Sequence, residues 1–255
     1  MLRGVLARQI DEVDRAGGLG GEIARAAAAA GAAVAIFDVK GVDEAVANLK
    51  QSGFKAVGVT VDVRDGKAVV AATDEVARAL GGVHILIAAA GGSLGTPRDL
   101  DDISEEDLDF VLDVNIKGTF NCARAAISHM KQNGGGSIVT FSSIGGRSAS
   151  PVTGVPYAAA KAGLLGLTRR LAREVGNANI RVNAIAPGLF LTDRLQGMFD
   201  ALPEAERKEV LDSIPLGRMP QLRECVEPVL FLASDESSYI TGVVLDVNGG
   251  RFMAG

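Results

Sequence analysis

The chain has 255 residues, 47% of them hydrophobic and 22% charged, with 32 glycines and only 4% aromatics. That composition suits a globular protein with one large domain spanning 1–255, and no linker or internal repeat divides it. A net charge of -5 without a basic tract argues against nucleic acid or an anionic membrane as partner, and no apolar run is long enough to span a bilayer. The opening "MLRGVLARQID" lacks the apolar core of a secretion signal. Cys122 and Cys225 sit in apolar, helix-like surroundings, which suits buried free thiols and a reducing cytoplasm.

From the N-terminus, "IDEVDRAGGLGG" (residues 10–21) ends in a glycine cluster and passes into an alanine-rich helix. "AAVAIFDV" (32–39) predicts a strand, "DEAVANLKQSG" a helix, "KAVGVTVDV" a strand, and "DEVARALGG" a helix that stops on glycine. "HILIAAAGG" follows as a strand. "SEEDLDFVLDVNIKGTFNCARAAISHMK" reads as one long helix, "GSIVTFSS" as a strand and "YAAAKAGLLGLTRRLAREVG" as a helix. Strand "IRVNAIAPG", a longer insertion, helix "ECVEPVLFLAS" and strand "VVLDVNGG" complete the chain. The strands are apolar almost throughout instead of alternating, so both of their faces are covered. Strand–helix repetition of this kind predicts an α/β fold, a parallel sheet with helices on both faces, whose ligands bind where the strands end.

Candidate chemistry gathers at those strand ends. Ser142 and Ser143 close one strand, and Tyr157 and Lys161 stand one turn apart on the following helix. Asn115 lies inside the long helix, and Pro187-Gly188 ends the next strand. A lone Tyr-x-x-x-Lys carries little information, whereas the ordered set carries much more. His84 and His129 have no partners at ligand spacing, so no metal is expected.

From about Ala16 onward this ensemble resembles the short-chain dehydrogenase/reductase family, on "VNIKGTFN", "GSIVTFSS", "YAAAKAG", "IRVNAIAPG" and "GVVLDVNGG". It is similar to 3-oxoacyl-carrier-protein-reductase-like and sugar- or alcohol-dehydrogenase-like members. The resemblance implies a single Rossmann-type, doubly wound domain with a seven-stranded parallel sheet, assembled as a homotetramer or homodimer. It implies an oxidoreductase that interconverts a small-molecule secondary alcohol and a ketone using NAD or NADP. By position, Tyr157 would be the general acid/base, Lys161 its activator, Ser143 the ligand of the substrate carbonyl and Asn115 the anchor of a proton-relay water.

The residue types suit that chemistry. Hydride transfer to a ketone leaves an alkoxide that needs a proton, and a free phenol titrates near ~10, too high for efficient work at neutral pH. A lysine cation nearby stabilises the phenolate, and a serine hydroxyl can hold the substrate oxygen.

For the nucleotide, Asp38 at the end of its strand would accept the adenosine-ribose hydroxyls and repel a 2′-phosphate, which favours NAD over NADP despite Arg15 in the glycine loop. Asp62 matches the family position that hydrogen-bonds the adenine amino group, and Thr192 the one that touches the nicotinamide carboxamide. The resemblance adds Gly18, Leu19, Gly20, Val63, Ala89, Gly91, Tyr157, Lys161, Pro187 and Gly188 to the cofactor-binding set.

Two departures stand out. Placing Gly18 and Gly20 on the last glycines of the family loop puts Val13 where threonine belongs and Asp14 where the first glycine belongs. "ARQIDEV" then falls where the central strand should be, and its charges are costly to bury unpaired. At Ala88 to Gly91, "AAAG" replaces the usual Asn-Asn-Ala-Gly. Three readings of the first departure remain open. In one, the segment forms the strand with Ile10 and Val13 inward and Gly17, Gly18 and Gly20 keeping the loop. In another, the chain is a non-catalytic member that serves as a binding or oligomeric partner. In the third, the segment is read out of frame, since Arg8-Gln9 and Asp14-Arg15 have the spacing of a family Gly-Lys and Thr-Gly pair. The region of about 189–222 is expected to be the substrate lid, where Phe190, Leu195, Met198, Phe199 and Leu202 with Arg194 and Arg218 suit a medium-sized, partly apolar substrate.

Overall fold

The computed structural model describes residues 3–7 (as backbone), 18–149, 153–190, 199–200 and 203–254. Its strands are β1 (Arg3–Ala7), β2 (Ala33–Asp38), β3 (Ala56–Thr60), β4 (Ile85–Ala88), β5 (Gly136–Phe141), β6 (Ile180–Pro187) and β7 (Val244–Val247). They form one parallel sheet of seven strands in the order β3-β2-β1-β4-β5-β6-β7. The chain runs outward from β1 to β3, then crosses back to lay β4 on the other side of β1. That reversal leaves a crevice at the carboxyl ends of β1 and β4.

The helices are α1 (Leu19–Ala29), α2 (Val42–Gln51), α3 (Gly66–Leu80), α4 (Glu105–Leu112), α5 (Gly118–Gln132), α6 (Val155–Val175), α7 (Glu204–Asp212) and α8 (Arg223–Ala233). Successive strand residues point to opposite faces, and here both faces are dry. Ala33, Ala35 and Phe37 of β2 pack with Leu86, Val76 and Ala126 under α3 and α5. Their neighbours Val34 and Ile36 pack with Ile87, Ile23 and Val229 under α1 and α8. An all-apolar strand is the sequence signature of such double cover, and β2 is buried at every position.

Local signals set the helix ends. Asp65 caps α3 by accepting from the Lys67 and Ala68 N–H groups, so this helix starts well before the expected "DEVARALGG". It stops at Gly81 with φ 82, a left-handed cap. Ser104 and Asp107 form a capping box at the start of α4. The long helix expected over 104–131 is broken: α4 passes through a π turn at Asp113–Lys117 before α5 begins.

The expected first strand needs correcting. The central position is taken by Arg3–Ala7, hydrogen-bonded to β2 on one side and β4 on the other, and not by "ARQIDEV". The types at 4–7, Gly-Val-Leu-Ala, are small or apolar and suit a strand covered on both faces, with Arg3 at its start and the next charge at Arg8. Ile10, Val13 and Gly17 lie outside the described residues, as does everything else from 8 to 17.

Candidate active site

At the end of β5 the two serines part company. Ser142 is buried and donates its hydroxyl to the Lys161 carbonyl at 2.7 Å, tying the strand to α6. Ser143, in extended backbone, begins a short 3-10 turn over Ile144–Gly146 and accepts at Oγ from the Gly145 N–H at 3.1 Å. Its side chain is hydrogen-bonded to that of Tyr157. The turn lies directly on α6: a Cβ on Gly146 would sit 2.5 Å from the Lys161 carbonyl carbon and 2.7 Å from the Ala162 nitrogen, so only glycine fits.

Lys161 is buried one turn along α6 from Tyr157. Its Nζ donates to the Phe141 carbonyl at 2.8 Å and lies 5.5 Å from the centre of the Tyr157 ring. Burial lowers the lysine to about 8. Burial also raises the Tyr157 phenol, and the hydrogen bond from Ser143 offsets only part of that. The Lys161 ammonium is turned to a backbone carbonyl of β5.

Asn115 is fully buried in the π turn and spans to the end of β4. Its Nδ2 donates to the Gly92 and Val111 carbonyls at 3.0 and 2.9 Å, and its Oδ1 accepts from the Gly92 N–H at 3.1 Å. The Asn115 carbonyl accepts from the Thr119 hydroxyl at 2.7 Å. Gly91 has φ +137, and a Cβ there would meet Asn115 Oδ1 at 2.3 Å. Ala88 pairs by backbone with Ala7 and Thr140, so β4 keeps both neighbours without the asparagines that "AAAG" lacks.

The residues that could hold a dinucleotide open α1 or lie at or just beyond the ends of β2, β3, β4 and β6. Gly18 precedes α1, whose first turn holds the Leu19 and Gly20 N–H groups that could receive an anion. Asp38 ends β2 buried, with Oδ1 accepting from the Val39 and Lys40 N–H groups at 2.7 and 3.3 Å. Asp62 is gripped at both oxygens by Arg64, down to 2.6 Å, which lowers its carboxyl, and Arg64 lies 5.1 Å over the Phe110 ring. Val63 is buried, and its carbonyl accepts from Asn121 at 2.9 Å. Ala89 and Gly91 follow β4, and Pro187 and Gly188 end β6. Thr192, Arg194, Leu195, Met198 and Leu202 lie outside the described residues. Arg218 is held in a two-pronged pair with Glu224, at 2.6 and 2.7 Å. A cavity of about 370 Å³ opens between Leu189, Phe190, Ile214, Leu216 and the segment after β7.

The chain as a whole is similar to known proteins. The chain is 42% identical over 241 residues to an uncharacterized short-chain type dehydrogenase/reductase of Sinorhizobium fredii, covering 92% of this chain and 93% of that one. The chain belongs to the short-chain dehydrogenase/reductase family. The family described as enoyl-(acyl carrier protein) reductase matches residues 14–251. A 3alpha-hydroxysteroid dehydrogenase of Mediterraneibacter gnavus is 40% identical over 223 residues, 86% of each chain. Among solved structures, a 3-oxoacyl-[acyl-carrier protein] reductase with bound NAD from Brucella melitensis superposes with a TM-score of 0.84 at 34% identity, covering 99% of this chain and 92% of that one. As a short-chain dehydrogenase/reductase the chain is a member of a family of oxidoreductases with a Rossmann-like α/β fold.

The motifs read from the sequence of this short-chain dehydrogenase/reductase single out none of Thr119, Asn121 and Arg64. Asn121 reaches the Val63 carbonyl from a distant element. Thr119, four positions after Asn115, and Arg64, two after Asp62, sit close enough in sequence to be read as partners.

Among the described residues no cluster of His, Cys, Asp or Glu could hold a metal ion, and no helix is long and apolar enough to cross a membrane.

Proposed function

We propose that this chain is an NAD(H)-dependent oxidoreductase that interconverts a secondary alcohol and a ketone, with Tyr157 as general acid/base. The observation that carries the reading is the hydrogen bond between Ser143 and Tyr157, with the buried Lys161 ammonium one turn away. Two hydroxyls joined in this way can both reach one substrate oxygen. Ser143 would polarise that oxygen, and Tyr157 would give or take its proton. Bound NAD would accept, and NADH would donate, the hydride that completes the exchange. Lys161 would favour the phenolate once drawn from the Phe141 carbonyl toward the ring oxygen. Asn115 would hold the floor at Gly91–Gly92 and anchor a water at its carbonyl. Asp38 favours NAD by disfavouring a 2′-phosphate, and the related Brucella reductase carries bound NAD. The cavity at the ends of β6 and β7 is lined by none of Ser143, Tyr157 or Lys161, and its apolar part at Leu189, Phe190 and Ile214 suits the body of a medium-sized alcohol or ketone.

Titration with NADH and with NADPH, followed by nicotinamide fluorescence, tests the cofactor. Saturable binding that favours NADH is expected. Tyr157→Phe should lower turnover of secondary alcohols by roughly 10²–10⁴-fold while leaving NADH binding nearly intact. Retained turnover in that variant would refute the role of Tyr157.

A second reading has its own support. β1 ends at Ala7, residues 8–17 join it to α1, Asp14 stands where the family loop has glycine, and the family match begins only at residue 14. A folded member that holds no dinucleotide would show no saturable binding of either nucleotide.

A further inference from the structure

Ser143 stands on a turn that closes on itself. The Gly146 N–H donates to the Ser143 carbonyl at 3.0 Å, and the Arg147 and Ser148 N–H groups to the Ile144 carbonyl at 3.0 and 2.9 Å. One face of the turn rests on α6 through Gly146. From the other end Arg147 leaves toward β7, with Nη2 3.3 Å from Asp246 Oδ2 and its guanidinium carbon 5.1 Å over the Phe252 ring. The two charged side chains are only 15% and 22% exposed. Asp246 Oδ1 is buried with no hydrogen-bond partner, and burial raises this carboxyl against the pull of Arg147.

The far end of the link is equally fixed. Asn248 accepts from the Gly250 and Phe252 N–H groups at 3.0 and 3.3 Å and donates to the Phe252 carbonyl at 3.1 Å, which folds Phe252 back. β7 pairs Asp246 with Ala186 and Val247 with Pro187, and the Val247 carbonyl receives the Gly188 N–H at 2.8 Å. The segment that grips Arg147 is therefore hydrogen-bonded to the one that carries Pro187 and Gly188.

We propose that Arg147 is a positioning residue: it locks the Ser143 turn in register with the Pro187–Gly188 loop, fixing the substrate oxygen relative to the nicotinamide end of the cofactor. This rests on the reading of Ser143 and Tyr157 given above. Misplacement of a reacting group by about 1 Å can cost roughly 10²-fold in rate, so a brace outside the chemistry has leverage.

The test uses the full chain in three forms. Arg147→Met removes the charge, Arg147→Met with Asp246→Asn also removes the buried partner charge so that the fold is spared, and Arg147→Lys keeps the cation. In the folded variants kcat is expected to fall about 10- to 100-fold while the Kd for NADH changes less than about threefold, with Arg147→Lys in between. Amide hydrogen exchange at Gly146 to Ser148 is expected to quicken about tenfold or more, a readout independent of turnover. A merely structural arginine would lower the melting temperature without moving the split between kcat and Kd. Unchanged kcat and unchanged exchange in the double variant would overturn the brace. Quickened exchange in a protein whose wild type binds no nucleotide would uphold the brace and defeat the functional reading instead.

Discussion

Lys161 brings an ammonium into the protein interior, where the Phe141 carbonyl is its hydrogen-bond partner. Its pKa falls from 10.5 to about 8 because burial penalises the charged form. Below pH 8 the folded and unfolded chains both carry the proton, and the full penalty is present. Between about 8 and 10.5 the unfolded chain binds more protons than the folded one, so stability rises with pH in that window. Lys161→Met is therefore expected to be more stable than wild type at pH 7 by about 1–3 kcal/mol, with the gap closing as pH climbs toward 10. Denaturant midpoints at pH 7, 8.5 and 10 would show it, and a gap that stays constant would refute it. At this scale the sequence was informative about identity and silent about orientation. Tyr157, Lys161, Ser143 and Asn115 do gather at the strand ends, but nothing in "YAAAK" says that the ammonium faces a carbonyl of β5. Nor did the sequence reveal that Arg64 occupies both oxygens of Asp62.

Between residue and fold, the element that holds the crevice floor is the turn after β4. Gly91 adopts φ +137 against the Asn115 side chain, a place where any Cβ meets both backbone strain and a collision. Gly91→Ala is expected to cost about 2 kcal/mol or more. Gly166→Ala, in the middle of α6 with open space where its Cβ would go, should stabilise by roughly 0.5–1 kcal/mol. Urea melts of both variants check the contrast, and equal effects would deny that Gly91 is special. Strands β2 to β7 were legible because an apolar run bounded by glycine leaves few alternatives. The break in the 104–131 helix was not, since a π turn keeps helical residue types and differs only in its hydrogen bonds. β1 was misplaced for a different reason. Counting backward from Gly18 by family spacing lands on charged residues, whereas the short uncharged "GVLA" upstream is what pairs with β2 and β4.

Across the whole molecule, two apolar layers share one sheet, and neither can be lost without exposing the strands of the other. Leu86→Ala lies in the layer under α3 and α5, and Ile185→Ala in the layer under α1 and α8. Each is expected to lower stability by about 2–5 kcal/mol. Both should shift one cooperative unfolding transition, and the double variant should approach the sum, since the two side chains sit on opposite faces. A second transition in either variant would mean that the layers unfold separately. The double cover is what the all-apolar strands announced, so the layering was the most readable property of the chain. Which loops would be braced to which was the least readable, because Arg147 and Asp246 are far apart in sequence and carry no local pattern.

The π turn at Asp113–Lys117 has a consequence for changes of length. A π turn amounts to an α-helix that has taken in one extra residue. Deleting one residue there would remove that extra residue and let α4 and α5 fuse into a regular helix, with Cys122, Ala123 and Ala126 still facing the sheet. What would go is the bulge that carries Asn115 to Gly92. A second deletion has no bulge to absorb it and would turn everything beyond by ~100°, swinging those residues off the sheet.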